Sequence, residues 1–314
     1  MDASFKSTIH WALIGLGRSG KAHLRQLERL SSDFRVIACC DVNSAQLPNG
    51  KYTTFTRWEE LSANWASLGL QGASVCTPIN HHAKLVESII NLKGKVLCEK
   101  PLSICREEIK RLTDLNQNES LFMVAQLLFE PSFSFLRWVK ATENIGRLRK
   151  IHYNLHLWET RQPDDLVASF SPHYIQHALI LGGRSSDPYV HYYASRQTII
   201  IQLSHINGIE TCIELSAACE CTLLRMTLNF DLGEIIIENG LLIDFPESCR
   251  NIAEKVNAQW FQGIANYPVG THFGPGLRNQ YLNLVRVIRQ EIPARPLMDG
   301  IDASRMVVKI LGSI

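Results

Sequence analysis

No run of apolar residues in the 314-residue chain approaches the roughly 18 needed to cross a bilayer, so no membrane-spanning helix is expected. Charge of one sign is also scarce. Lys and Arg together number 32 against 30 Asp and Glu, a formal balance of +2. That balance argues against nucleic acid or an anionic membrane surface as the partner. Charged residues make up 20% and apolar residues 46%, the composition of a globular protein rather than a disordered one. Internal repeats and low-complexity tracts are absent. So is paired Cys-x-x-Cys spacing. The nine cysteines include adjacent Cys39 and Cys40 and the near neighbours Cys219 and Cys221, which reads as buried, reduced thiols in a cytoplasmic protein rather than zinc ligands or disulfides. The opening "MDASFKSTIHWALIGLG" begins acidic and runs straight into a strand-like stretch, so a secretion signal is not expected. No H-R-D or D-F-G stretch occurs, which excludes a protein kinase.

What the chain does have is rhythm. Over the first 125 residues, apolar runs ("IHWALIGL", "FRVIACCD", "GASVCTPI", "GKVLCEKP", "LFMVAQLL") alternate with amphipathic stretches such as "SGKAHLRQLERL" and "HHAKLVESIINL". Strands alternating with helices predict a doubly wound parallel sheet. Runs apolar throughout suit strands covered on both faces. Beyond residue 125, strand-like segments follow one another between turn signals, among them Asn-Gly at 207–208 and 239–240, which predicts a mostly antiparallel sheet. Two helices are expected to close the chain, near Leu277–Arg289 and Ile301–Leu311, with Asp299 as the N-cap of the last. The expected architecture is therefore α/β: a Rossmann-type domain over 1–125, then an α+β domain with a large open sheet over 126–314.

"IGLGRSGKAH" carries two overlapping motifs. Gly15, Gly17 and Gly20 spell G-x-G-x-x-G, while Gly15, Gly20 and Lys21 spell most of a P-loop. A P-loop needs a Ser or Thr after its Lys to bind magnesium, and Ala22 stands there. The dinucleotide motif is complete in its setting, with a strand before it and an amphipathic helix after. Gly15 permits the tight turn, Gly17 lets a pyrophosphate approach the backbone, and Gly20 packs helix on strand. Asp41 ends the second strand about 20 residues further on, where a carboxylate binds ribose hydroxyls and repels a 2′-phosphate. The expected cofactor is NAD, with NADP as the alternative.

Two later segments, "SVCTPINHHAKL" with Thr77, Pro78 and His82, and "GKVLCEKPLS" with Glu99, Lys100 and Pro101, complete a pattern that closely resembles the Gfo/Idh/MocA oxidoreductase family. The tail "PLMDGIDASRMVVKIL" resembles that family's closing helix. The resemblance implies an NAD(P)-binding Rossmann domain, a second domain with an open sheet, chemistry between them on a small-molecule substrate, and a homodimer or homotetramer built sheet to sheet. It assigns cofactor binding to Gly15, Gly17, Arg18, Ser19, Gly20, Asp41, Thr77, Pro78, His82, Glu99 and Lys100, and catalysis to Lys100 and His173. The chemistry of the residues agrees. A Lys ending a parallel strand lies in the crevice where ligands bind, and there it can polarise an oxygen while a His relays the proton.

The sequence departs from the family at three places. Ser169 stands where an Asp usually precedes the His by four, Gln176 where a carboxylate follows by three, and Gln126 and Leu128 where an Asn-x-Arg follows the last Rossmann strand. Without a carboxylate the His is less firmly held. Three functions follow. One is an oxidoreductase of a small hydroxyl or carbonyl compound, sugar- or cyclitol-like. Another is a reductase of an imine or other C=X bond, and the third a dinucleotide-binding sensor without turnover. Trp158, Arg161, Ser169, Gln176 and His177 are the expected substrate contacts. His152 and His156, on one strand face, suit either a substrate pocket or a subunit contact. His173 and His177 are spaced to share a metal, but no third ligand is evident, so no metal is expected. Asp165 has the wrong spacing to replace the missing Asp on a single helix face.

Overall fold

The computed structural model describes residues 7–116, 119–264, 275–293 and 300–314. The described chain separates into two compact units. One runs to Val124 and takes in Gln280–Ile301; the other comprises Ala125–Asn279 and Asp302–Ile314.

The first unit is built on strands β1 (Ile9–Ile14), β2 (Phe34–Cys40), β3 (Thr53–Phe55), β4 (Gly72–Val75), β5 (Lys95–Cys98) and β6 (Leu121–Met123). All pairs are parallel and the order is β3-β2-β1-β4-β5-β6. Helices α1 (Arg18–Arg29), α2 (Trp58–Ala63), α3 (His82–Asn91) and α4 (Arg106–Leu115) connect them. The order reverses direction between β1 and β4, the switch point beside which such sheets bind ligands. The five expected strands are all present. β3 is additional: three residues at the sheet edge, with two exposed threonines and no apolar run to announce it.

The second unit carries α5 (Pro131–Thr142), β7 (Leu148–His156), α6 (Pro163–Gly182), β8 (Tyr189–Tyr193), β9 (Thr198–Ser204), β10 (Glu210–Ser216), β11 (Leu223–Phe230), β12 (Gly233–Glu238), β13 (Leu241–Asp244) and α7 (Arg250–Ile264). Its sheet runs β13-β12-β11-β7-β10-β9-β8, antiparallel except for the β7–β10 pair. Asn239 and Gly240 both adopt positive φ, as a two-residue hairpin turn requires. The closing helices form as α8 (Pro275–Ile288) and α9 (Ile301–Leu311); Asp299 lies outside the described residues.

Where the sequence placed all of 126–314 in one domain, Gln280–Ile301 clusters with the first unit instead. Tyr281 is fully buried there, its hydroxyl 2.6 Å from both His23 Nδ1 and Ser74 Oγ. Gln280 donates to the Met123 carbonyl at 2.8 Å, and Arg289 pairs with Asp33 at 2.7 Å. Among the described residues no helix is long and apolar enough to cross a membrane. All nine cysteines are free. Cys39, Cys40, Cys98 and Cys249 are buried as expected, whereas Cys221 is exposed.

A Cβ at Gly20 would lie 1.9 Å from the Gly15 carbonyl oxygen, so α1 sits as close to the β1 turn as backbone allows. Gly20→Ala must push that helix away, and should cost about 2–3 kcal/mol of stability in urea unfolding.

Candidate dinucleotide and active site

The site begins at the end of β1. Gly15 turns the chain with φ +86°, and its N–H donates to the Cys40 carbonyl at 2.8 Å. A side chain here would strike the Cys76–Thr77 backbone at 2.7 Å. Leu16 N–H donates to Asp41 Oδ2 at 2.6 Å, and Asn43 N–H to Asp41 Oδ1 at 2.8 Å. The expected ribose ligand is thus held by both oxygens, and each keeps a lone pair for a further donor. Gly17 is the N-cap of α1 and brings no capping side chain. A Cβ on it would meet nothing within 4 Å. The first turn, which includes Arg18 and Ser19, contains no acidic residue. An uncapped helix start beside open space is suited to an anion such as a pyrophosphate.

Across the switch point, Thr77 and Pro78 follow β4. Thr77 Oγ1 is buried with no hydrogen-bond partner among the described residues. His82 is also buried, and its two ring nitrogens each lie 2.8 Å from a carbonyl oxygen, Nε2 from Thr77 and Nδ1 from Pro101. Burial lowers its pKa, the two carbonyls opposing. It therefore ties the loop after β4 to the loop after β5, and its nitrogens are not turned outward to a ligand as the sequence suggested. Glu99 and Lys100 follow β5. Glu99 is buried, and its Oε2 accepts the Lys100 backbone N–H at 3.2 Å. Burial raises the Cys98 thiol well above its ordinary range, as befits an inert strand residue rather than a nucleophile.

In the second unit, α6 carries His173, Ser169 and Gln176. Ser169 donates to Asp165 Oδ1 at 2.9 Å, and Arg161 donates to Asp165 Oδ2 at 2.8 Å while also pairing with Glu159. Asp165, excluded on spacing, thus reaches the missing position through a hydroxyl. Gln176 is buried. His177 is not a substrate contact. It is 1% exposed, its Nδ1 is 2.7 Å from Tyr153 Oη, and the Phe133 ring lies 4.2 Å away. Burial lowers its pKa to about 3. Among the described residues no group of three or more His, Cys, Asp or Glu is placed to hold a metal. Trp158 is well exposed. Tyr153 points toward α6, so His152, one residue away on β7, points to the opposite face. There it lines a cavity of about 460 Å³ with Lys150, Tyr189, Gln202, Glu210 and Asn229.

Residues 126–130 form a turn after β6 in which Gln126 and Glu130 are drawn inward. Glu130 accepts the Gly276 N–H at 3.2 Å, yet burial raises its pKa to about 7. Nothing in the sequence pointed to Glu130 or to the burial of Tyr281. The one signal for His23 was its place on the apolar side of an amphipathic helix.

Fold and cradle together define a dinucleotide-binding Rossmann domain. Residues 9–126 match the family described as "Oxidoreductase family, NAD-binding Rossmann fold", Gfo/Idh/MocA. An inositol 2-dehydrogenase of Rhizobium meliloti is 26% identical over 148 residues, 46% of this chain and 44% of its own. An uncharacterised oxidoreductase of Schizosaccharomyces pombe is 27% identical over 194 residues, 56% and 52% of the two chains. The chain thus spans about half the length of these relatives. The fold is shared with the WlbA dehydrogenase from Bordetella pertussis, solved with NADH and UDP-GlcNAcA (TM-score 0.82, 15% identity, 98% of this chain and 95% of that one). It is also shared with a myo-inositol dehydrogenase from Corynebacterium glutamicum (TM-score 0.76, 15% identity, 98% and 96%). The open space at Gly17, the uncapped α1 and the unpartnered Thr77 hydroxyl fit a nicotinamide dinucleotide.

Two outcomes follow. Gly17→Ala should leave stability within about 1 kcal/mol while weakening NADH binding about tenfold or more, measured by nicotinamide fluorescence. The Glu130 carboxyl keeps its proton to about pH 7 when folded and loses it near 4.5 when unfolded. Stability therefore falls as pH rises across that window. Glu130→Gln should stabilise the protein by about 1–3 kcal/mol at pH 8 and leave it unchanged at pH 4, by urea unfolding at both pH values.

Proposed function

We propose that this chain is an NAD-dependent oxidoreductase acting on a small hydroxyl or carbonyl compound of the sugar or cyclitol kind. The observation that carries this reading is Lys100, held through Glu99 at the end of β5 on the same edge of the parallel sheet as the glycine turn. When bound, the nicotinamide would give or take the hydride. Lys100 polarises the substrate oxygen with its charge. His173 takes up or returns the hydroxyl proton. The tethered Asp41 carboxylate favours NAD, because a fixed negative charge at the ribose repels a 2′-phosphate. The named relatives among inositol 2-dehydrogenases support the cyclitol class.

Ser169 in place of an Asp favours a second reading, reduction of an imine or other C=X bond, in which a less strongly held His donates rather than extracts a proton. The bond from Ser169 to Asp165 supports the first reading, since it returns a carboxylate to the same helix face by way of a hydroxyl. The sheet face bearing His152, with its cavity and the exposed Tyr189 beside it, supports a homo-oligomer formed sheet to sheet rather than a substrate pocket there.

The test is to load the protein with NADH and challenge it with fractionated metabolites, following nicotinamide absorbance. Wild type should consume NADH with one fraction, and Lys100→Met should lose about a hundredfold in rate while still binding NADH. Tight binding with no turnover in any fraction would instead identify a sensor.

A further inference from the structure

The first unit contains a buried line of polar side chains that the dinucleotide cradle does not use. Trp11 on β1, Ser74 on β4, Tyr281 on α8 and His23 on α1 are all 0% exposed, and the line ends at Glu99. Trp11 Nε1 lies 2.9 Å from Ser74 Oγ, Ser74 Oγ 2.6 Å from Tyr281 Oη, Tyr281 Oη 2.6 Å from His23 Nδ1, and His23 Nε2 3.3 Å from Glu99 Oε1. The other oxygen of Glu99 accepts the Lys100 N–H.

Donor accounting gives the line a direction. The Trp11 indole can only donate, so Ser74 Oγ accepts from it. The Glu99 carboxylate can only accept, so His23 Nε2 carries a proton. In a neutral imidazole Nδ1 then accepts, Tyr281 donates to it, and Ser74 donates to the Tyr281 oxygen. Every hydrogen is used once and all point toward Glu99. With both imidazole nitrogens protonated, Tyr281 would have to donate to Ser74. The Ser74 hydroxyl hydrogen would then have no acceptor within the line, a costly loss in a core. The line also ends at an indole N–H, which supplies no proton at any ordinary pH. It is therefore a strut and not a proton channel.

We propose that His23 and Tyr281 are positioning residues for Lys100. They fix the rotation of the Glu99 carboxylate, which in turn holds the Lys100 peptide at the strand end. The return of Gln280–Ile301 to the first unit then has a purpose: it delivers the Tyr281 hydroxyl on which His23 rests. This inference rests on the reading of Lys100 as the cation beside the nicotinamide.

The experiment uses the full chain with Tyr281→Phe, which keeps the ring packed on Phe34 and His23 at 5.5 and 5.6 Å, together with His23→Leu and His23→Gln. Two quantities are read: hydrogen exchange of the Lys100 amide, and affinity for NADH compared with ADP-ribose, which lacks the nicotinamide. The His23→Leu variant should speed Lys100 exchange about tenfold, with Val96 and Leu97 unchanged. NADH should weaken about fivefold while ADP-ribose holds within about twofold. Tyr281→Phe should act in the same direction, and His23→Gln, whose amide can donate to Glu99, should recover most of the protection. Unchanged Lys100 exchange in both His23→Leu and Tyr281→Phe would overturn the proposal. So would NADH and ADP-ribose weakening together, since that is general loosening of the domain. If wild type binds neither nucleotide, the functional reading falls, and the exchange result alone then decides whether the strut exists.

Discussion

The closeness of α1 to the turn after β1 is the constraint on which the first unit depends. With no side chain at Gly20, the helix backbone comes down onto the Gly15 carbonyl, and two consequences follow. Its uncapped N-terminus is aimed across the open space at Gly17. One turn later His23, on the same buried face as Gly20 and Leu27, is lowered into the core far enough to meet Tyr281 and Glu99. A helix displaced outward by a methyl group would lose both alignments together. The glycine therefore serves the cradle and the strand end that carries Lys100 through a single contact.

Features governed by local rules were readable in the sequence. The parallel strands follow from apolar runs, the glycine turn from its spacing, and the 239–240 hairpin from Asn-Gly, since each depends on residues a few positions apart. The places of Asp41 and Lys100 just beyond β2 and β5 were readable because motif and strand end coincide. What escaped depends on distant partners. Tyr281 meets Ser74 across 207 positions, and no periodicity in α8 announces that its tyrosine belongs in another part of the fold. The histidines of α6 show the same limit. His173 and His177 have identical spacing to any metal-binding pair, and only the position of Tyr153 and Phe133 shows that the second is a core residue whose ring is kept neutral by burial. Asp165 was dismissed on helix geometry for a direct contact. Helix geometry did not consider a hydroxyl standing halfway, which is what Ser169 is.

The two units handle buried polarity differently. In the first, the buried line ends on a carboxylate that receives an imidazole N–H and a backbone N–H, so its charge is met at both oxygens and the neutral members need no counter-charge. In the second, Glu130 has one backbone N–H and little else, and the cheaper solution is to keep its proton. The contrast shows why a charged strut is tolerable at Glu99: its hydrogen-bond donors are supplied by two separate elements, each fixed by its own packing.

The missing acid of α6 is likewise a matter of which donors meet a carboxylate. A carboxylate four residues before His173 would act on it with a full charge. Asp165 cannot, because Arg161 occupies one of its oxygens and offsets its field. What passes along the helix is the polarisation of the Ser169 hydroxyl, whose hydrogen is committed to Asp165 and whose lone pairs are thereby made better acceptors. That arrangement leaves the Ser169 oxygen able to accept from a further donor without placing a full charge beside it. On the proposed reading, proton transfer at this helix would then follow the substrate's own demand for a proton more than a fixed pull from the protein.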